Sequence, residues 1–200
     1  MHRRITAVCA AIAIAFLAIT PGIASAQATA PARPAMLSAP DTPCQFCGVN
    51  LNNAASKLNL GVNPQNIPIV NTPNSNSSQL WDIVGPVNGS NNLYVIFSTG
   101  TDMALTHNTG CTSDGGAYAY CATLTALPNG QHATAGQEWY ESVSPAGNYS
   151  FEGKDTQRGL QDPCGCAGSL GDQAVLYPWN PSSSAQQWFI PGETTGSARG

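Results

Sequence analysis

The chain has 200 residues, a formal charge of −4 and only 9% charged side chains. A chain so poor in cations would be repelled by phosphate backbones and anionic lipid, which excludes nucleic acid as a partner. Its length suits one hydrophobic core rather than two ordinary domains.

Residues 1–26 read as a signal peptide: His2, Arg3 and Arg4 make a basic start, an apolar run covers 5–19, and Ala24-Ser25-Ala26 is a small-residue cleavage site. That run is too short to span a bilayer, and no later stretch is apolar enough to do so. Cys9 has no small-residue signature close before it, which argues against a lipid anchor. The expected product is therefore exported and 174 residues long, with five Lys and Arg against eleven Asp and Glu, a formal charge of −6. Its neutral polar surface of Asn, Ser, Thr, Gly and Gln suits hydroxyl-rich ligands.

Residues 27–43 are Ala- and Pro-rich, with Pro31, Pro34, Pro40 and Pro43 and no apolar period, so they read as an extended linker. Beyond them, short β-branched or aromatic runs alternate with Gly, Asn, Pro and Ser turns. The predicted strands are 67–70, 79–84, 93–98, 117–127, 137–144, 148–152, 174–179 and 186–190, with weaker ones near 58–61 and 160–162. No 3.6-residue period appears, so the fold class is all-β. The tail after residue 192 is expected to be disordered.

One pattern recurs along these strands: Gln79-Leu80-Trp81, Gln137-Glu138-Trp139 and Gln186-Gln187-Trp188. The tryptophans lie 58 and 49 residues apart, the spacing of like units that cannot bury an apolar face alone. A turn leucine precedes each of them, read as Leu58, Leu105 and Leu160. Residues two apart in a strand share a face, so Trp81 goes inward with Ile83, and Trp188 with Ile190. In the middle copy Glu141 takes that place after Trp139 and needs a partner or a strand end. The three tryptophans read as core residues, and the three glutamines as groups that bond the turn backbone before they reach any ligand.

Three Leu…Gln-x-Trp units over roughly residues 48–192 resemble the ricin B-type lectin family, which implies a disulfide-containing β-trefoil of three repeats over 44–192. In that family's sugar sites, an Asp after the repeat leucine accepts from two sugar hydroxyls. An aromatic ring later in the repeat stacks on the sugar, and an Asn-Gln pair leads into the last Trp. The first repeat offers Asn59, Val70 and Ser78 at those places; the second offers Thr106, an aliphatic or Thr residue near 125–127, and Gly136. Only the third keeps a ring in register, so the resemblance implies one carbohydrate site built from Gln161 or Asp162, Tyr177 and Gln186. Asp162 falls one place late and by alternation faces the other way unless the turn is bulged.

Six cysteines follow the leader: Cys44, Cys47, Cys111, Cys121, Cys164 and Cys166. An even count in an exported chain implies disulfides. Cys111 and Cys121 flank a Gly-rich turn and are the favoured pair. Cys44–Cys47 and Cys164–Cys166 either close locally or pair with each other. The export signal and the lack of a second C-x-x-C argue against a zinc site. His107 and His132 sit in no nucleophile, metal or base motif, and the carboxylates are scattered. The expectation is a secreted, non-enzymatic protein with no cofactor and no metal, whose partner is a glycan or glycoprotein. The alternative is a trefoil with decayed sugar sites, presenting its loops, with Tyr118 and Tyr120 among them, to a protein partner or as a toxin accessory.

Overall fold

In the computed structural model, the described residues are 43–107, 120–128, 133–163 and 170–192, and they form thirteen short strands with no α-helix among them. The leader, most of the linker, the tail, Cys111, Cys164, Cys166, Tyr118 and His132 lie outside the described residues. No helix among the described residues is long and apolar enough to cross a membrane.

The strands are β1 Cys44–Val49, β2 Asn52–Asn53, β3 Asn59–Val62 and β4 Pro68–Asn71. Then come β5 Trp81–Val84, β6 Leu93–Ser98, β7 Ala104–His107, β8 Ala122–Thr125 and β9 Glu138–Val143. The last four are β10 Tyr149–Gly153, β11 Arg158–Gln161, β12 Val175–Pro178 and β13 Trp188–Phe189. All pairings between them are antiparallel, in the order β1-β5-β6-β9-β10-β13-β2. Because β2 follows directly on β1, the chain itself joins the two ends of this path into a ring. The hairpins β3–β4, β7–β8 and β11–β12 hang from β2, β6 and β10. The architecture is therefore three four-stranded units, β2–β5, β6–β9 and β10–β13, with β1 lying ahead of the first and paired with β5, which is a β-trefoil.

The repeated sequence signs all have a place in this threefold. Each Gln closes a short 3-10 turn, Ser77–Gln79, Ala135–Gln137 or Ser184–Gln186, and each Trp lies at or near the start of the next strand. Trp81, Trp139 and Trp188 are fully buried, as are Leu60, Leu105 and Leu160. Each indole Nε1 donates to the carbonyl of one of these leucines, Trp81 to Leu60 and Trp139 to Leu105 at 2.9 Å, and Trp188 to Leu160 at 3.2 Å. The ring thus fills the centre while its one polar atom is satisfied by a strand carbonyl of its own repeat. A left-handed residue stands three places before each leucine: Lys57, Asp102 and Gln157, with φ of 64°, 54° and 53°.

That register corrects the first repeat. Its leucine is Leu60, in mid-strand on β3, and not Leu58. Leu58 leaves the turn just after Lys57 and only packs against the edge of the core. The sequence places a leucine at both positions, and only a strand carbonyl two residues further on reaches the indole. Glu141 lies inside β9 rather than at a strand end, opposite Phe151, and has interaction partners there.

Of the open cysteine pairings, Cys44 and Cys47 close locally as a disulfide. Cys121 is also disulfide-bonded, but the expected partner Cys111 is outside the described residues.

Candidate functional site

The hairpin β11–β12 pairs Leu160 with Leu176, Gly159 with Tyr177, and Gln161 with Val175. Leu160 and Leu176 are buried in the core, so by alternation Gly159, Gln161, Val175 and Tyr177 share the opposite face, of which Tyr177 is the exposed part. Tyr177 is 45% exposed, whereas Gln161 is 6% exposed. They are diagonal neighbours across the hairpin, a separation of about 7–8 Å.

Gln186 leans over the same face. Its Oε1 accepts from the Asn180 amide at 2.8 Å, and its Nε2 donates to the Pro178 carbonyl at 2.9 Å and to Gln161 Oε1 at 3.1 Å. Both its N–H groups are committed, so Gln186 clips the loop that follows β12 and holds Gln161 in place. Gln79 and Gln137 make the same clip. Gln79 bridges the Asn74 amide and the Thr72 carbonyl, and Gln137 bridges the Thr134 amide and the Ala126 carbonyl.

Trp179, the fourth tryptophan, completes the third-repeat face. It is half-buried, and a Cβ placed on Gly159 would lie 2.5 Å from Gln186 Oε1 and 2.8 Å from Trp179 Cε3. The glycine therefore lets the ring and the glutamine lie directly on the strand. The sequence signal for Trp179 was the absence of any Gln-x-Trp context: a tryptophan that is not part of the core device is free for the surface. Asp162, one place beyond β11, is 1% exposed, and its amide donates to the Ala185 carbonyl.

The other two repeats are built differently on this face. By register, Gln161 corresponds to Gly61 and Thr106, and Tyr177 corresponds to Asn71 and Thr125. No aromatic side chain stands at either ring position. In the first repeat, Gln79 Oε1 accepts instead from Asn59 Nδ2 at 2.9 Å. Val70 pairs with Leu60 and is fully buried, away from that face. In the second repeat, the Thr106 and Thr125 hydroxyls bond each other at 2.7 Å and Gln137 Nε2 donates to Thr125 Oγ1 at 2.9 Å, which closes the face with short side chains.

His107 ends β7 and sits edge-on to Trp139, with centroids 5.3 Å apart, and its Nε2 lies 2.9 Å from the Ala135 carbonyl. It is half-buried. Burial lowers its pKa below the ordinary value, against the opposing pull of the Ala135 carbonyl. Cys44, Cys47 and Asp82 lie close enough together to suggest metal ligands, but both sulfurs are engaged in the disulfide.

By sequence the chain matches no protein-family model and no curated protein. Its fold matches solved structures. A designed threefold-symmetric protein, ThreeFoil, aligns with a TM-score of 0.57 and 18% identity over 71% of this chain and 96% of that one. A Macrolepiota procera ricin B-like lectin in complex with lactose aligns with a TM-score of 0.54 and 14% identity, over 71% and 92% of the two chains. A mosquitocidal holotoxin aligns with a TM-score of 0.58 and 18% identity over 73% of this chain, which there corresponds to 17% of the toxin. At these identities the likeness is one of fold.

Proposed function

We propose that this protein is a secreted, non-catalytic lectin that binds carbohydrate weakly through the outward face of its third repeat. The observation that carries the reading is the coincidence there of an exposed ring, Tyr177, with a second ring, Trp179, and an anchored amide, Gln161. An aromatic face supplies apolar contact for the C–H side of a sugar, and a fixed amide orients it. The lactose-bound fungal lectin of the same fold supports a sugar as the ligand class. Gln161 rather than Asp162 makes the polar contact, because Gln161 lies on the hairpin face that carries Tyr177 and Asp162 is one place beyond the strand. Gln186 acts by holding Gln161.

A single neutral site of this kind suits a millimolar constant, worth about 4 kcal/mol, with useful avidity coming from a polymeric or densely displayed glycan. The test is a high-density glycan array probed with the wild-type protein, Tyr177→Ala and Trp179→Ala. Binding by the wild type that both variants lose is the expected result. Unchanged binding by the variants would remove the site assignment.

The second reading is a trefoil that docks on a protein, as an accessory to a larger assembly. The ring-free faces of the first two repeats and the trefoil within the holotoxin favour it. Silence of the wild type on every glycan would turn the account to that reading.

A further inference from the structure

The third-repeat face has a defined hydrogen-bond polarity, and this follows from backbone groups whose roles cannot be exchanged. The Asn180 amide only donates, so the atom of Gln186 that meets it is Oε1. The Pro178 carbonyl only accepts, so the atom that meets it is Nε2. The second hydrogen of that Nε2 reaches Gln161, which must therefore present its own Oε1 there. The polarity is relayed from the main chain through Gln186 to Gln161. What Gln161 has left is Nε2, which donates to no described residue.

We infer that the site recognises a hydrogen-bond acceptor, and that its ligand is an N-acetylated sugar whose acetamido carbonyl accepts from Gln161 Nε2. The inference rests on the lectin reading above and names its ligand class. A carboxylate after the repeat leucine would accept from two hydroxyls; here an N–H donor takes that place, and the nearby carboxylate, Asp162, is buried. A sugar hydroxyl also accepts from Gln161, but more weakly than an amide carbonyl, and each hydroxyl of a diol brings a proton to a face that offers no charged acceptor. An acetamido carbonyl is a stronger acceptor than a hydroxyl, its N–H can be left to water, and its methyl group suits the Tyr177 and Trp179 rings. An anionic sugar fits less well, because the chain carries a formal charge of −4 and the Arg158 guanidinium is committed over the Tyr120 ring at 3.6 Å.

The test titrates the full chain by NMR with two matched pairs of methyl glycosides. These are N-acetylglucosamine against glucose and N-acetylgalactosamine against galactose. In at least one pair, the acetamido sugar binds about ten-fold more tightly, the scale of one added hydrogen bond. Gln161→Glu keeps the acceptor for Gln186 and turns the outward N–H into an oxygen, so it abolishes the preference. Gln161→Met, which removes the donor without adding charge, loses it as well and serves if the glutamate variant does not fold. Equal binding within both pairs, or a preference that survives in both variants, overturns the inference while leaving a lectin. Absence of binding to glycans of any kind overturns the lectin reading with it.

Discussion

Replacing Gln186 with leucine keeps the volume of the side chain and removes its polar atoms. Three groups then lose their partner: the Asn180 amide, the Pro178 carbonyl and Gln161 Oε1. The first two belong to exposed residues, where water substitutes in part; the third is buried. At about 1 kcal/mol for each group that water reaches and about 1 kcal/mol, the low end of the usual range, for the buried one, the loss is roughly 3 kcal/mol. For a domain of this size that is a fall in melting temperature of about 6–12 °C. Thermal unfolding followed by circular dichroism reads it directly. Gln79→Leu and Gln137→Leu should fall by a comparable amount, because each removes the equivalent clip from its own repeat. A Gln186→Leu protein that melts with the wild type would refute the structural role of the glutamine and leave it as a ligand contact alone.

Gly159→Ala forces a Cβ onto Gln186 and Trp179 and should cost about 1–3 kcal/mol, as overpacking does. Gly136→Ala meets nothing closer than 3.7 Å and is the neutral control; denaturant melts that rank the two equally would contradict the close packing. His107 is held below its ordinary pKa of 6.5 by burial, so the unfolded chain binds the proton more readily. Its contribution to stability is complete above 6.5 and is lost as pH falls through 6.5 towards the lowered folded value. Melting temperatures of the wild type and His107→Gln should therefore diverge less at pH 5 than at pH 7.5, and parallel curves would show that the ring is not buried as a neutral group.

How far the residues announced all this depends on what kind of signal each one carries. The tryptophans were legible because a large ring repeated at long intervals in an all-β chain has only one economical use, a shared centre. Strand β6 was legible from an uninterrupted β-branched and aromatic run. Strands β1, β2 and β7 were not: Cys44–Val49 contains two cysteines and a glycine and pairs with β5 across two irregular steps, Asn52–Asn53 is polar, and Ala104–His107 is four residues with one large apolar side chain. Leu58 and Leu60 compete for one role that only the strand register decides. At the site, Tyr177 was visible from its place in the repeat. Trp179 was marked only by standing outside the Gln-x-Trp device, and the dependence of Gln161 on Gln186 was not visible, because it comes from a glycine that lets two side chains lie on a strand.

On the proposed function, the third-repeat face receives a sugar. The sharpest measurement is a two-dimensional NMR spectrum of the four tryptophan indole N–H groups during titration with N-acetylglucosamine and N-acetylgalactosamine. Three indoles are buried and bonded to leucine carbonyls, while that of Trp179 lies at the proposed site. The Trp179 indole and the Gln161 side-chain amide should shift together, and the other three indoles should stay still. Saturating sugar that moves none of these signals, or moves those of the first or second repeat instead, would contradict it.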